Sequence, residues 1–245
     1  MKIFYWSPFI SKVATVSSVI RSAESILKYS KKKNNINVAI IDAIGEWKNY
    51  RKIINPKIEI INLSKKNISE SLPKVGFFKS RLSYALIFAL TFFKLLNLIN
   101  KEKPDYIIAH LLTSLPIFLT LIIKNKTKVI IRISGLPKLN LVRYIFWKLF
   151  SKKIYRVTCP TTLTYEYLKK INIFDQNKLF VLRDPVIQLH EFLKKKNEKI
   201  EDLKIEKNNL IISIGRLTRQ KNLILLIRAF KKILLKYPNY HLLLL

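Results

Sequence analysis

Residues 105–134, DYIIAHLLTSLPIFLTLIIKNKTKVIIRIS, decide the fold of this chain. Two runs rich in β-branched residues, Asp105–His110 and Lys128–Ser134, flank a segment in which Thr113 and Pro116 mark the start of a helix. The centres of both runs are continuously apolar rather than alternating, which is typical of strands that are buried on both faces. The stretch therefore predicts two parallel strands joined by a helix.

The same alternation of strand and helix continues along the chain. Further strands are predicted at Lys2–Trp6, Asn37–Ala43, Ile58–Leu63, Arg156–Cys159 and Leu179–Arg183, and helices at Lys12–Tyr29, at Leu82–Ile99 and from Thr161 onward. This order predicts a doubly wound, Rossmann-like α/β domain with a parallel sheet. Ligands of such domains bind outside the carboxyl ends of the strands. The loops after Trp6, His110, Ser134 and Cys159 are therefore the expected site.

The character of the sequence changes after Pro185. Residues 188–208 are polar and charged, and they predict a linker that contains some helix. Residues 209–245 return to a strand, a helix and a second strand, and one such unit cannot bury both faces of its own sheet. We therefore expect one domain at 1–187 and, at 209–245, the first strand–helix–strand of a second Rossmann-like domain that is cut short.

Composition excludes several classes of protein. The 245 residues are 49% hydrophobic, which is far more than a disordered chain carries. The single cysteine, Cys159, excludes a disulfide framework and a multi-cysteine zinc site.

The charge is the unusual feature, because 46 Lys+Arg stand against 15 Asp+Glu, a formal net charge of +31. Nucleic acid is the first partner that such a charge suggests, and a membrane surface the second. Lysines, however, outnumber arginines and are spread along the whole chain, which argues against bidentate recognition of bases or phosphates. A lineage bias towards lysine is one explanation of the excess, and an affinity for anionic partners such as phosphates, acidic lipids or nucleic acid is the other. A basic nucleic-acid-binding α/β protein without enzymatic activity therefore stays open as the alternative.

The segment Leu82–Ile99, LSYALIFALTFFKLLNLI, is long enough to cross a bilayer, but Lys94 interrupts it. Two interpretations are open. The first is a buried or half-buried helix that packs on the sheet. The second is a helix that lies in the membrane interface, where aromatic residues and basic flanks are favourable.

The segment Ile211–Leu226, IISIGRLTRQKNLILL, is the most specific stretch in the chain. Gly215 allows a tight turn after a strand, and Arg216 and Lys221 then stand near the start of a helix, where the helix dipole also favours anions. The order of Gly215, Arg216, Leu217, Lys221 and Asn222 resembles the start of the C-terminal domain in GT-B glycosyltransferases of the large retaining family 4.

The resemblance implies that Arg216 and Lys221, with Gly215 and Asn222, bind the diphosphate of a nucleotide-sugar donor. It also implies that the reaction needs neither a metal nor another cofactor, because the nucleotide sugar is a substrate. In the family, two glutamates that act near the donor sugar and the nucleotide would lie beyond Leu245. The catalytic residues therefore stay unknown, and we expect this 245-residue form to be inactive in transfer.

The N-terminal part carries weaker similarities to the same family. Pro104–His110 is similar to a family strand that ends in histidine, so His110 is a candidate for a catalytic or acceptor-side role, although a lone histidine at a strand end is more often structural. On the acceptor side the further candidates are Ser7, Lys12, Arg132, Ser134 and Gly135. Arg132 can hold a phosphate of the acceptor or can pair within the fold.

The implied reaction moves a sugar from a nucleotide diphosphate sugar to a lipid-linked or envelope glycan. The expected location is the cytoplasm, with peripheral contact to an anionic membrane through residues 82–99 and the lysine-rich surface. A dinucleotide-binding Rossmann protein is disfavoured, because no G-x-G-x-x-G follows any strand.

Overall fold

The structure of the protein is a computed structural model, and it describes residues 1–11, 13–30, 35–73, 77–185, 187–198, 209–215 and 217–245. The chain forms two compact units, Met1–Ile187 (unit 1) and Gln188–Leu245 (unit 2). Each unit has its own parallel sheet.

Unit 1 alternates strands and helices throughout its described residues. The strands are β1 (Lys2–Trp6), β2 (Asn37–Asp42), β3 (Glu59–Asn62), β4 (Tyr106–Ala109), β5 (Lys128–Arg132), β6 (Arg156–Cys159) and β7 (Leu179–Val181). The helices are α1 (Ala14–Tyr29), α2 (Phe77–Glu102), α3 (Ser114–Leu119), α4 (Leu141–Phe150) and α5 (Thr162–Ile171).

The seven strands form one parallel sheet in the order β3-β2-β1-β4-β5-β6-β7. The chain runs outward from β1 to β3, returns through α2, and then runs outward in the other direction from β4. β1 and β4 are therefore neighbours at the point where the strand order reverses, which is where ligands bind in open α/β sheets.

Two hydrophobic cores cover the two faces of this sheet. One face packs against α2, α3, α4 and α5, with Ile87, Leu115, Trp147 and Leu168 among its buried residues. The other face packs against α1. Strands that are covered on both faces need apolar residues at consecutive positions. In β2, for example, five consecutive residues are buried.

The predicted doubly wound α/β fold is confirmed. Each strand predicted in 1–187 is present, and its ends lie within two residues of the predicted ones. Helix α1 begins at Ala14, two residues after its predicted start. The start of α2 differs more, because this helix already begins at Phe77 and not at Leu82.

Two local features differ from the prediction. Helix α4, with the sequence LVRYIFWKLF, was not predicted. Its start is nevertheless capped in the expected way, since the Asn140 side chain accepts a hydrogen bond from the Arg143 N–H. Thr113 makes no side-chain cap bond to α3, because its backbone is already helical, whereas a capping residue is extended.

Unit 2 contains α6 (Leu189–Lys196), β8 (Leu210–Ser213), α7 (Leu223–Leu234) and β9 (His241–Leu244). β8 and β9 pair in parallel, as the strand–helix–strand prediction for this region requires. Helix α6 falls in the segment predicted to be a linker with some helix, and the remainder of that segment, from 199 to 208, lies outside the described residues.

Candidate functional site

The candidate site lies at the carboxyl edge of the unit 1 sheet. The register aligns the end of β1 with the end of β4, and it places Ala109 beside Ile131. The residues that come next on the three strands, Ser7, His110 and Arg132, therefore form one row across β1, β4 and β5. Adjacent strands are about 4.8 Å apart, so the row brings together three of the predicted site residues.

The row continues on both sides with residues that the sequence analysis did not select. Trp6 pairs with Ile41, so the next residue of β2, Asp42, stands beside Ser7. Arg132 pairs directly with Thr158 of β6. Both added residues are buried. Five polar side chains thus cross the sheet at one level, on the face that packs against α1.

Three atoms of this row lack a hydrogen-bond partner among the described residues. They are Ser7 Oγ, His110 Nδ1 and Arg132 Nε, and their residues are 0%, 5% and 4% exposed. A buried polar atom without a partner costs stability. Such atoms at the ligand edge of an α/β sheet are groups that a bound polar ligand can satisfy.

His110 is held in its neutral form. Burial and, less strongly, the positive charge of Arg132 lower the pKa of His110 to about 3. The imidazole ring lies 6.0 Å from the ring of Tyr5, measured between centroids. The Tyr5 hydroxyl hydrogen-bonds the Ser22 hydroxyl of α1 at 2.7 Å, which anchors this part of the row to the helix.

Arg132 pairs within the fold, which was one of the two predicted possibilities. Its Nη2 donates to Asp184 Oδ1 at 2.6 Å and to the Leu182 carbonyl oxygen at 2.8 Å. Asp184 belongs to the segment LRDPV. The ion pair therefore ties the end of β5 to the segment that follows β7.

An acidic turn closes the row at β2. The Glu46 carboxylate accepts hydrogen bonds from the Ala43 and Ile44 N–H groups at 3.1 and 2.7 Å, and Asp42 accepts one from Gly45 at 2.7 Å. Burial, together with the adjacent Asp42 carboxyl, raises the pKa of Glu46 well above its usual range. This turn was missed because its carboxyl groups come together only through the tight backbone at Gly45, where φ is +92°.

A cleft of about 540 Å³ opens beside this turn. Phe9, Ile10 and Ser11, which follow β1, form one wall, and the other walls come from the segments around Tyr50 and Asn67. Amide, hydroxyl and carboxyl groups line it together with an aromatic ring, and Asn49, Asn67, Ser69 and Glu70 contribute the polar groups. Such a lining suits a polyhydroxylated ligand.

The remaining acceptor-side candidates are more exposed. Ser134 and Gly135 lie on the exposed loop between β5 and α4. A Cβ atom added to Gly135 would meet nothing within 4 Å, so no steric demand for glycine exists there. Lys12 lies outside the described residues.

In unit 2, the predicted donor-binding turn follows β8. The N–H of Gly215 donates to the Leu245 carbonyl oxygen at 2.8 Å, and Lys221 ends a short 3-10 turn, Arg219–Lys221. Asn222 then takes a left-handed conformation, with φ 46° and ψ 46°, and starts α7. Arg216 lies outside the described residues.

Lys221 and Gly215 contact each other closely. A Cβ atom built on Gly215 would lie 3.3 Å from Lys221 Cε and 3.5 Å from its Cδ, so the aliphatic stem of Lys221 crosses over the Gly215 backbone. Lys221 is exposed. The absence of a side chain at Gly215 therefore sets the path of the lysine, whose ammonium group is accessible to an anion.

No group of three or more His, Cys, Asp or Glu side chains that could hold a metal ion occurs in the part of the chain that the structure describes.

Solved structures with the same fold share little sequence with this chain. The UDP-GlcNAc 2-epimerase from Neisseria meningitidis bound to UDP-GlcNAc is 19% identical, with a TM-score of 0.57 over 100% of this chain and 65% of that chain. A glycosyltransferase from Rickettsia africae is 13% identical, with a TM-score of 0.57 over 99% of this chain and 59% of that chain. The fold matches that of GT-B proteins.

The match extends to other sugar-modifying proteins of this fold. The glycotransferase of kitacinnamycin is 9% identical, with a TM-score of 0.57 over 99% of this chain and 65% of that chain. This chain thus spans less than two thirds of the length of these structures. No protein-family model and no curated protein sequence matches it.

Proposed function

We propose that this chain belongs to a GT-B glycosyltransferase of the retaining family 4 type, which moves a sugar from a nucleotide diphosphate sugar to a glycan acceptor. The observation that carries the proposal is the row of Ser7, His110 and Arg132 at the switch point of the unit 1 sheet, with its three unpartnered polar atoms. Solved structures with this fold include an epimerase bound to UDP-GlcNAc and a transferase in complex with UDP.

The donor diphosphate is assigned to the turn of unit 2. The exposed Lys221 ammonium group lies beside the helix start at Asn222, and Gly215 leaves room for the lysine stem. The Lys221 ammonium group, together with Arg216, neutralises the negative charge that develops on the leaving diphosphate. Such electrostatic stabilisation is usually a large contribution to catalysis. This arrangement requires no metal.

The acceptor is assigned to the carboxyl edge of unit 1. The cleft beside Tyr50 and Asn67 offers hydroxyl, amide and aromatic groups to a sugar. Ser7, Ser134 and Gly135 follow the ends of β1 and β5 at the same edge. Lys12 is assigned to the acceptor from the sequence alone. Arg132 is occupied by Asp184, so its part is to hold this edge in place rather than to bind a phosphate with its whole guanidinium group.

His110 acts in this proposal as a neutral hydrogen-bonding partner. A pKa of about 3 is far from neutral pH, and a general base works best when its pKa lies near the operating pH. The unpartnered Nδ1 atom is suited to hydrogen-bond a hydroxyl group of the acceptor, and so to orient it.

A lipid-linked or envelope acceptor and a peripheral position at the cytoplasmic face of the membrane complete the proposal. One helix in the described residues, Lys79–Glu102, is long and apolar enough to cross a membrane, and 28% of its most apolar window is buried. Ile87, Leu95 and Ile99 face the sheet, while Leu82, Leu86, Leu90 and Phe93 are 39–71% exposed. Helix α2 is therefore half-buried, and its exposed apolar side is available to a bilayer interface.

Binding of UDP and GDP tests the donor assignment. We expect the full protein that the reading frame encodes to bind one of the two. Lys221→Ala should weaken binding by at least tenfold, because a charge-assisted contact contributes about 1.5–3 kcal/mol and about 1.4 kcal/mol is a factor of ten in affinity. Lys232→Ala, an exposed lysine on α7, is the matched control and should bind as the unchanged protein does. Equal affinities of the Lys221→Ala protein and the unchanged protein would refute the assignment.

A nucleotide-sugar epimerase is the second candidate, because several similar structures are UDP-GlcNAc 2-epimerases. Product analysis separates the two candidates. An epimerase converts UDP-GlcNAc without any acceptor, whereas a transferase requires the acceptor for sugar transfer.

A further inference from the structure

Helix α4 carries an exposed apolar surface that its sequence did not reveal. Leu141, Val142, Ile145 and Leu149 are 73%, 76%, 46% and 72% exposed. They recur at three- and four-residue spacing, so they lie on one side of the helix, opposite the buried Trp147. These four residues are called the α4 ridge here.

The α4 ridge belongs to the same helix layer as the exposed side of α2. Phe118 of α3 joins the two helices, with its ring 6.4 Å from that of Phe88 in α2 and 6.1 Å from that of Phe150 in α4. All three helices pack on one face of the sheet. Their exposed apolar residues therefore form the outer surface of a single layer of unit 1.

This part of the chain is uniformly basic. Residues 111–165 contain no Asp or Glu, and their basic residues are Lys124, Lys126, Lys128, Arg132, Lys138, Arg143, Lys148, Lys152, Lys153 and Arg156. Lys148, Lys152 and Lys153 are exposed on α4 and directly after it. An apolar ridge beside exposed lysines is complementary to a surface that is apolar inside and negatively charged outside.

The ridge also starts at the acceptor edge of the sheet. Helix α4 is reached from the end of β5 through the exposed loop that contains Ser134, Gly135 and Leu136, the last of which is 54% exposed. The polar acceptor candidates and the first ridge residue, Leu141, are therefore separated by this loop alone. An amphiphilic acceptor could place its sugar at the loop and its apolar chain along α4.

We propose that the α4 ridge docks unit 1 on an anionic lipid bilayer. The proposal deepens the lipid-linked acceptor of the proposed function, because it names the surface that reaches the bilayer. A bilayer is favoured over a second copy of this chain, since two surfaces without acidic residues repel each other. Contiguous exposed apolar patches often mark interaction sites, and an amphipathic helix rich in lysine is suited to an anionic interface.

Vesicle binding tests the proposal through the ridge. The triple variant Leu141→Ser, Ile145→Ser and Leu149→Ser should lose at least tenfold in partitioning onto phosphatidylcholine vesicles that contain phosphatidylglycerol, measured by co-sedimentation. The matched control is Tyr29→Ser with Ile53→Ser, which removes apolar side chains that are 72% and 65% exposed outside this layer. The control should partition as the unchanged protein does.

Charge variants test whether the exposed lysines beside the α4 ridge contribute to docking on an anionic bilayer. The variant Lys148→Gln, Lys152→Gln and Lys153→Gln should bind anionic vesicles roughly a hundredfold more weakly. A control with the same loss of net charge, Lys48→Gln, Lys52→Gln and Lys57→Gln, changes exposed lysines between β2 and β3 and should lose far less.

Three results would overturn the proposal. They are a lack of binding to anionic vesicles by the unchanged protein, equal binding by the ridge variant and the unchanged protein, and a dimer in solution that the ridge variant converts to a monomer. Thermal unfolding and UDP or GDP binding of the ridge variant are measured in parallel. Vesicle binding that fails while nucleotide binding persists rejects the docking surface and leaves the donor assignment intact.

Discussion

The two regions that carry the functional inference are built in opposite ways. In unit 1, Ser7, His110 and Arg132 are 0–5% exposed and come from strands that are far apart in sequence. In unit 2, Gly215 and Lys221 lie six residues apart on one exposed turn. The first region is assembled by sheet register and the second by local chain geometry.

This difference has a physical consequence for function. Buried polar groups are fixed by their surroundings, so a ligand that reaches them meets a preorganised site. An exposed lysine, in contrast, keeps much of its side-chain freedom and acts mainly through its charge. Variants in unit 1 should therefore affect folding and binding together, whereas variants in unit 2 should affect binding alone.

The largest expected effect is on the Arg132 ion pair. Arg132→Ala leaves Asp184 without its partner and opens a cavity beside His110, so we expect a loss of about 3–5 kcal/mol in the free energy of unfolding. Urea denaturation followed by circular dichroism measures it. Asp184→Asn retains an acceptor for the guanidinium group and should cost about 1 kcal/mol. A loss below 1 kcal/mol for Arg132→Ala would show that the pair does not hold this edge.

The second prediction concerns the pH dependence of stability. The pKa of His110 is about 3 in the folded chain and about 6.5 when unfolded, so the unfolded chain binds the extra proton between these values. The stability that neutral His110 contributes is complete above about pH 6.5 and is lost as the pH falls towards 3.

His110→Gln should remove this loss. Between pH 7 and pH 4.5 the unchanged protein should lose about 2–3 kcal/mol more than the variant, because each pKa unit corresponds to about 1.4 kcal/mol. His241→Gln, which changes an exposed histidine, is the control and should follow the unchanged protein. Parallel pH profiles for His110→Gln and the unchanged protein would contradict the buried neutral state.

The smallest effect is expected at Gly215. A methyl group there meets only the flexible Lys221 stem, so Gly215→Ala should change the free energy of unfolding by less than about 0.5 kcal/mol and weaken nucleotide binding two- to threefold. The comparison variant is Gly45→Ala in unit 1. Its Cβ would lie 2.7 Å from Asn67 Oδ1 at a φ of +92°, which should cost more than about 2 kcal/mol. Similar costs in urea denaturation at both glycines would remove the contrast between the regions.

The sequence predicted the strands well because each is a short apolar run bounded by polar residues. It predicted the turn at Gly215 because all residues of that motif lie close together in the sequence. It selected Ser7, His110 and Arg132 one by one, yet it could not show that they share a row, since the register depends on how β1, β4 and β5 pair. For the same reason Asp42 and Thr158 were missed.

The partners of buried groups were also beyond prediction. That Arg132 pairs with Asp184 depends on a contact between residues 52 positions apart. The α4 ridge could not be identified either, because α4 carries apolar residues on its buried side and on its exposed side, and only the packing of the folded chain distinguishes the two.

The most direct test of the central claim is a donor assay on the full protein that the reading frame encodes. The protein is incubated with UDP- and GDP-sugars that carry a radiolabel on the sugar, with and without a membrane lipid extract, and free nucleotide and lipid-phase label are both measured. The account predicts nucleotide release with one donor and label in the lipid phase only when the extract is present. Lack of any nucleotide release and any lipid-phase label with every donor would contradict it.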